Sequence, residues 1–162
     1  MSLGPYHPTQ QLLVTGAPLF VWEAAKQQAK CSPMLKFKAG AVLYDPSTKT
    51  LISKGYSHPG AIHSKRFASV HAECAAVDAS EYSNLSGHWC IIYTLNGRGG
   101  TAWSSRPCLS CAVHLLEQGV ERVVYAERTG QTWITRSEHP EELVERAPAP
   151  TGRFARQQRI PA

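Results

Sequence analysis

The sequence predicts an α/β domain in which helices cover both faces of a central sheet. Apolar, β-branched runs typical of strands alternate with helical stretches, after an opening pair of strands that forms a hairpin. Two predicted strands, 88–96 and 120–127, flank a helix, so we expect them to be parallel with a right-handed crossover. The chain of 162 residues has no internal repeat or linker and fits one domain with a sizeable core.

The first half of the chain predicts two helices around the hairpin. A proline opens the segment 18–31, whose apolar residues recur near helical spacing. The runs 38–45 and 50–57 are joined through the turn cluster DPSTKT, which predicts the hairpin. A loop rich in glycine, proline and charge covers 58–68. The segment 71–82 lacks glycine and proline and is rich in alanine, so we expect a helix there.

The second half of the chain continues the alternation and ends in a tail. It is predicted to contain a strand over 88–96, a flexible glycine-rich loop over 97–107, a helix over 108–119, strands over 120–127 and 131–136, and a short helix over 140–146. We therefore assign residues 1–146 to the domain. The segment 147–162 is rich in proline and arginine with few apolar anchors, and we expect it to be mobile.

Composition and charge indicate a globular protein of a reducing compartment. Hydrophobic residues make up 43% and charged residues 18%, which is not the balance of a disordered chain. The net charge of +5 suits phosphate-bearing partners without requiring them. Five irregularly spaced cysteines argue against a disulfide framework. No segment resembles a signal peptide or a membrane span, so we expect a cytoplasmic protein that does not bind a membrane.

Two short motifs carry the candidate chemistry. Cys108-x-x-Cys111 alone suits either a redox pair at a helix start or half of a zinc site. The redox interpretation prefers a thioredoxin-like context, whereas this pair follows a long glycine-rich loop and Pro107 precedes it. The sequence His71-Ala-Glu73 supplies further candidate groups. Together the motifs match the H-x-E…P-C-x-x-C signature of zinc-dependent nucleobase deaminases.

The stretch SVHAECAAV leaves one ambiguity, because it contains three metal-binding residue types within four positions. On a regular helix, His71 and Cys74 are three residues apart and share a face. Glu73 would point about 200° away from His71 at 3.6 residues per turn. Helical spacing alone therefore favours Cys74 as the partner ligand of His71.

The chain is similar to the cytidine and deoxycytidylate deaminases over about residues 18–127. Besides the two motifs, the hairpin KFKAGAVLYD…TLISKGYS and the strand GVERVVYAE resemble that superfamily, and SSRPC resembles the deoxycytidylate deaminases in particular. The resemblance implies a three-layer α-β-α fold with a mixed sheet of about five strands, a Zn²⁺ cofactor and a homo-oligomer. It also implies that His71, Cys108 and Cys111 bind the metal and that Glu73 is catalytic.

These residue types suit hydrolytic deamination. Three protein ligands leave an open position on zinc, which lowers the pKa of a water molecule there. Glu73 then moves protons to the ring nitrogen and to the departing ammonia. The resemblance places His71 at the helix entrance, where the backbone is not yet regular, so that His71 and Glu73 both face the metal. Cys74 is then a small buried residue that does not bind.

Substrate contacts also come from the resemblance. Ala72 offers its N–H to the pyrimidine carbonyl, and Ser57 stands where many relatives carry an asparagine that contacts the sugar. Four residues that flank the motifs are candidates for phosphate binding, with a solvated surface as the alternative: Lys65, Arg66, Ser105 and Arg106. The loop NGRGGTAWSSR is a candidate lid or specificity loop, in which Trp103 is placed to stack on a base or to pack locally.

The sequence thus predicts zinc-dependent hydrolysis of a cytosine-type base to uracil and ammonia in a free nucleotide such as deoxycytidylate. The alternative is a deaminase of single-stranded DNA, RNA or tRNA that uses the basic surface and the arginine-rich tail. A third interpretation is a zinc-stabilised binding module without catalysis, against which the intact Glu73 argues.

Overall fold

The structure is a computed structural model, and it describes residues 16–59, 70–129 and 132–146. The predicted tail 147–162 and the candidate phosphate-binding residues Lys65 and Arg66 lie outside the described residues. Among the described residues, no helix is long and apolar enough to cross a membrane.

The described part of the chain forms five strands and four helices, each close to its predicted position. In chain order these are α1 (Leu19–Cys31), β1 (Phe37–Asp45), β2 (Thr50–Tyr56), α2 (Ala72–Ala79), β3 (Trp89–Asn96), α3 (Leu109–Glu117), β4 (Arg122–Thr129), β5 (Thr132–Glu138) and α4 (Pro140–Arg146). The helix predicted over 71–82 is shorter than expected and begins one residue later. Its first turn follows His71, whose backbone is extended with φ −77° and ψ 152°.

The five strands form one mixed sheet in the order β2-β1-β3-β4-β5. β1 is antiparallel to both β2 and β3, as expected for a hairpin whose first strand lies inside the sheet. β3 and β4 are parallel, with α3 in the connection between them, which confirms the predicted parallel pairing. β5 returns antiparallel to β4 and forms the other edge.

Helices cover both faces of this sheet and give three layers. Alternate residues of β1 point to opposite faces, with Leu43 in one buried cluster and Val42 in the other. The Leu43 cluster contains side chains of α2, α3 and α4, whereas the Val42 cluster contains the buried face of α1. The α/β fold and the mixed five-stranded sheet predicted from the sequence are confirmed.

The glycine-rich loop that follows β3 is tied to its neighbours. Thr101 forms an isolated bridge with Leu95, and its hydroxyl lies 2.6 Å from the phenol oxygen of Tyr93. Further along, Arg128 N–H donates to the carbonyl of Trp103 at 2.8 Å. The loop is therefore fastened to β3 and β4 at several points, in contrast to the flexible loop that its glycines predict.

Candidate metal centre

Three side chains that are far apart in the sequence meet at the start of two helices. His71 is the N-cap residue of α2, Cys108 is the N-cap residue of α3, and Cys111 lies in the first turn of α3. Their candidate ligand atoms all lie within 4.8 Å of one another. Because α2 and α3 pack on the same face of the sheet, their N-terminal ends bring these residues together. Helix N-termini also favour the thiolate form of cysteine.

The cluster has the dimensions of a zinc site. His71 Nδ1 lies 3.1 Å from Cys111 Sγ and 3.4 Å from Cys108 Sγ. Zinc bonds of about 2.0 Å to nitrogen and 2.3 Å to sulfur place tetrahedral ligands about 3.5 Å apart. The exposure rises from the buried Cys111 through the half-buried Cys108 to the exposed His71, so the centre faces outward on one side. One imidazole and two thiols therefore fit a zinc ion with an open position.

Hydrogen bonds inside the cluster shift the pKa values of its members. The hydrogen bond from Cys111 is the largest cause that lowers the pKa of Cys108 to about 4. The hydrogen bond with Cys108 is the main cause that raises the pKa of His71 to about 9. Donation to Cys108 raises the pKa of the Cys111 thiol. Zinc takes cysteine as thiolate and histidine as a neutral imidazole, so metal binding at this cluster would release protons.

Glu73 lies beside the cluster despite the helical spacing that argued against it. The extended backbone of His71 places that residue outside the regular helix, so the 200° separation does not apply to the pair. Both side chains line the same cavity. Glu73 is buried, with 5% of its surface exposed, and this burial is the main cause that raises the pKa of its carboxyl group. A buried carboxylate with a raised pKa is well suited to accept a proton.

Cys74 touches the cluster through one member. Its Sγ lies 3.8 Å from Cys111 Sγ, and its side chain is half-buried rather than fully buried. The group of described residues whose ligand atoms are all mutually close contains His71, Cys108 and Cys111 but not Cys74. The structure thus places Cys74 next to the candidate ligands and outside their common centre.

The cluster opens into a cavity of about 610 Å³. Of the predicted substrate-binding residues, Ser57, Ser105 and Arg106 line it. Ala72 is fully buried as the first residue of α2, so its N–H is one of the four that a helix leaves without an internal partner. Sequence reasoning missed the segment 33–37, which contributes five consecutive lining residues. The letters PMLKF between a helix and a strand carry no signal for this role.

Comparison with known proteins identifies the family. A family model described as the cytidine and deoxycytidylate deaminase zinc-binding region matches residues 18–127. The fold is similar to that of cytidine deaminase from Burkholderia pseudomallei, with a TM-score of 0.58 and 21% identity over 79% of this chain and 96% of that one. Cytidine deaminase from Mycobacterium tuberculosis gives a TM-score of 0.51 and 20% identity over 79% and 94% of the two chains.

No protein of curated function matches the chain. The family match covers both motifs and agrees with the His, Cys, Cys group, which fits Zn²⁺ as the cofactor. The chain belongs to the zinc-binding cytidine and deoxycytidylate deaminase family.

Proposed function

We propose that the protein hydrolyses the exocyclic amine of a cytosine-type base in a free nucleotide such as deoxycytidylate, releasing uracil nucleotide and ammonia. Family membership supports the coarser part, a hydrolytic deaminase acting on cytosine. The choice of a nucleotide is supported by one observation: a cationic side chain at the cavity wall has one buried nitrogen atom without a hydrogen-bond partner among the described residues.

That group is the guanidinium of Arg106. Its Nη2 atom is buried and has no hydrogen-bond partner among the described residues, while the side chain lines the cavity. An unpaired buried donor costs about 1–3 kcal/mol, which a ligand acceptor would recover. Lys36 is a second cationic lining residue, and Glu73 is the one carboxylate among the described lining residues. A phosphate group suits this charge balance, since guanidinium and phosphate form strong, directional hydrogen bonds.

The chain's own residues then divide the chemistry. His71, Cys108 and Cys111 would hold zinc, which when bound lowers the pKa of a water molecule at its open position. The Glu73 carboxylate would take one proton from the attacking water and deliver it to ring nitrogen N3 as the water oxygen bonds to C4. It would then carry the second proton of that oxygen to the amine, which leaves as ammonia when the C4–N bond breaks. The N–H of Ala72 is free to donate to the pyrimidine carbonyl. One water and one cytosine ring thus give one uracil ring and one ammonia.

A substrate panel with two variants tests this assignment. Cytidine, dCMP, dCTP and single-stranded DNA are assayed with the wild type, Arg106→Gln and Glu73→Gln. We expect Arg106→Gln to raise KM for dCMP about 10–100-fold, the loss of a charged hydrogen bond, while cytidine is little affected. Arg98→Gln is the matched control, since Arg98 lies in the same loop but is exposed and does not line the cavity.

Two outcomes would contradict the proposal. Turnover confined to polynucleotides would exclude the free nucleotide as substrate. Activity that survives Glu73→Gln, in protein that still contains zinc, would exclude Glu73 as the proton carrier. The control is informative because Arg98 and Arg106 contribute equally to net charge.

The alternative, a polynucleotide deaminase, is favoured by a different observation. The Trp103 side chain is 61% exposed, and the guanidinium carbon of Arg128 lies 5.2 Å from the centroid of its ring. An exposed aromatic ring backed by a cation suits stacking of a nucleobase. We call Trp103 and Arg128 the Trp103 and Arg128 platform. Trp103 lies two residues before Ser105, which lines the cavity. In this alternative, a base next to the reacting one would stack on the Trp103 ring.

We also propose a cytoplasmic homo-oligomer. All five cysteines are free of disulfides, which suits a reducing compartment. The oligomeric state is carried over from the resemblance, and light scattering of the purified chain would test it.

A further inference from the structure

A short connector forms much of the cavity wall. Residues 33–36 join α1 to β1 without regular secondary structure, yet they and Phe37 all line the cavity. Among the backbone–backbone hydrogen bonds of the turns, loops and helix ends in the described residues, none involves residues 33–36. Segments of this kind are held by side chains, if they are held at all. The position of the wall therefore depends on the groups at its two ends.

Both ends of the connector meet at Ser57. At the first end, the hydroxyl of Ser32 donates to the carbonyl of Ser57 at 2.6 Å. At the second end, Ala39 N–H donates to the hydroxyl of Ser57 at 3.0 Å, and Ser57 N–H donates to the carbonyl of Ala39 at 2.9 Å. Ser32 and Ser57 are both buried, with 2% and 6% of their surfaces exposed. We call these three residues the serine junction.

Hydrogen counting fixes the direction of the remaining contact. The two hydroxyl oxygens lie 2.9 Å apart. Each serine has one hydroxyl hydrogen, and that of Ser32 is used on the carbonyl of Ser57. Ser57 must therefore be the donor to Ser32. The other acceptor in its reach, the carbonyl of Ala39, is 3.5 Å away and also belongs to the protein. The hydroxyl of Ser57 has no hydrogen left for a ligand, and it offers at most one acceptor position.

We propose that Ser57 and Ser32 are positioning residues, which hold the 33–37 wall in the shape that binds the cytosine substrate. Many relatives carry an asparagine at the position of Ser57, and the resemblance implies that this residue contacts the sugar. In the serine junction, however, Ser57 mainly makes hydrogen bonds to other residues of the protein. A ligand group that meets Ser57 must be a hydrogen-bond donor, such as a hydroxyl. The inference rests on the proposed function for its link to substrate, but the junction itself does not depend on it.

The first measurement is hydrogen exchange of the wall in the full chain. We expect Ser32→Ala and Ser57→Ala to accelerate exchange of the Met34 amide about tenfold, because this wall amide donates to the hydroxyl of Ser32 at 3.3 Å. Ser53→Ala is the matched control, because its hydroxyl also donates to a carbonyl at 2.6 Å, on α2, and does not line the cavity. The control should leave exchange of the Met34 amide within about twofold of wild type.

The second measurement separates positioning from chemistry. With the cytosine substrate that the wild type turns over best, Ser32→Ala should raise KM about fivefold and leave kcat within about twofold. The Ser32→Ala/Ser57→Ala double variant should add little to the larger single effect, since both residues act in one network. Ser32→Thr restores the hydroxyl and should restore KM. If an alanine variant fails to fold, Ser32→Cys carries the same comparisons.

The outcomes distinguish the two proposals. Unchanged wall exchange together with unchanged KM in Ser32→Ala would overturn the role of the serine junction. An equal increase in exchange in Ser53→Ala would also overturn it, since the effect would then be general destabilisation. If the wild type turns over no cytosine substrate, the proposed function fails, while the exchange experiment still decides whether the junction holds the wall.

Discussion

The thiol of Cys74 is as far from the thiol of Cys111 as two sulfur ligands of one zinc ion would be from each other. Its Sγ is 3.8 Å from Cys111 Sγ, close to the separation expected of tetrahedral thiolates. If Cys74 also bound, the ion would have four protein ligands and no open position for water. The mutual grouping of His71, Cys108 and Cys111 without Cys74 instead leaves that position free. The identity of the third sulfur therefore separates a catalytic centre from a structural one.

We predict that Cys74→Ala retains one zinc ion per chain, whereas Cys111→Ala loses most of it. Removal of a true ligand leaves only two protein donors, too few for tight binding. Elemental analysis of purified, dialysed protein measures the content. Cys31→Ala controls for thiol loss, because Cys31 is exposed and lies in α1. Zinc loss in Cys74→Ala would assign the ligands differently.

At the residue scale, the motif residues could be predicted and their surroundings could not. The spacing of His71 and Glu73 misled a purely helical argument, because the helix begins one residue later than the pattern suggested. The place of Arg106 beside Pro107-Cys108 makes it a candidate for phosphate binding. That its Nη2 atom is buried without a partner among the described residues depends on packing, which the sequence does not reveal. The partnership of Ser32 with Ser57 is a contact across 25 residues, which no local pattern reveals, and the place of Lys36 in the cavity wall likewise depends on the fold.

Two helices approach the sheet at glycines, and each contact leaves no room for a methyl group. A Cβ atom on Gly40 would overlap the backbone of α1 at Ala25 and Ala29. A Cβ atom on Gly55 would overlap the backbone of α2 at Ala72 and Ala76. Because backbone atoms cannot rotate away, the helix itself must move. The two glycines thus set the distance of opposite layers from the sheet.

We predict that Gly55→Ala weakens zinc binding as well as folding, whereas Gly40→Ala weakens folding alone. Overpacking of this kind costs about 1–3 kcal/mol in the free energy of unfolding. Displacement of α2 also moves Glu73 and the histidine before the helix, but displacement of α1 moves neither. Denaturant unfolding and competition with a chelator measure the two effects.

Gly100→Ala is the control for these variants, because the atoms nearest to its Cβ would belong to the side chain of Asn96, at 3.3 Å and beyond, and not to a helix backbone. It should change stability by less than about 0.5 kcal/mol. Equal loss of zinc affinity in Gly40→Ala and Gly55→Ala would show that α2 is not specifically responsible.

At the element scale, the sequence supports nearly all of the fold. Periodicity and turn residues located the hairpin, β3, α3 and β4, since each has a strong local pattern. Hydrogen bonds join the loop after β3 to Thr94, Ala126 and Arg128. The sequence does not predict them, because the glycines of the loop indicate conformational freedom but not the groups that the loop binds in the fold.

At the scale of the whole molecule, the net charge of +5 is compatible with both substrate classes. The cations at the cavity, Arg106 and Lys36, suit a single phosphate group. The Trp103 and Arg128 platform outside it suits a neighbouring base. These sites would be used together only by a polynucleotide. Since a polynucleotide releases condensed counterions at each phosphate contact and a mononucleotide has none to release, salt dependence distinguishes the two substrate classes.

We predict that kcat/KM for dCMP falls at most about threefold between 50 and 200 mM salt, since only ordinary screening acts on a free mononucleotide. A single strand held through five contacts would instead lose about 100-fold over the same range. Trp103→Ala separates the cases further, because it should leave dCMP turnover unchanged and lower only polynucleotide turnover. If single-stranded DNA is the better substrate and its kcat/KM falls steeply with salt in the wild type but less steeply in Trp103→Ala, the substrate is a polynucleotide and the free-nucleotide proposal is wrong. If kcat/KM for dCMP depends weakly on salt, does not change in Trp103→Ala, and falls in Arg106→Gln through a higher KM, the substrate is recognised inside the cavity.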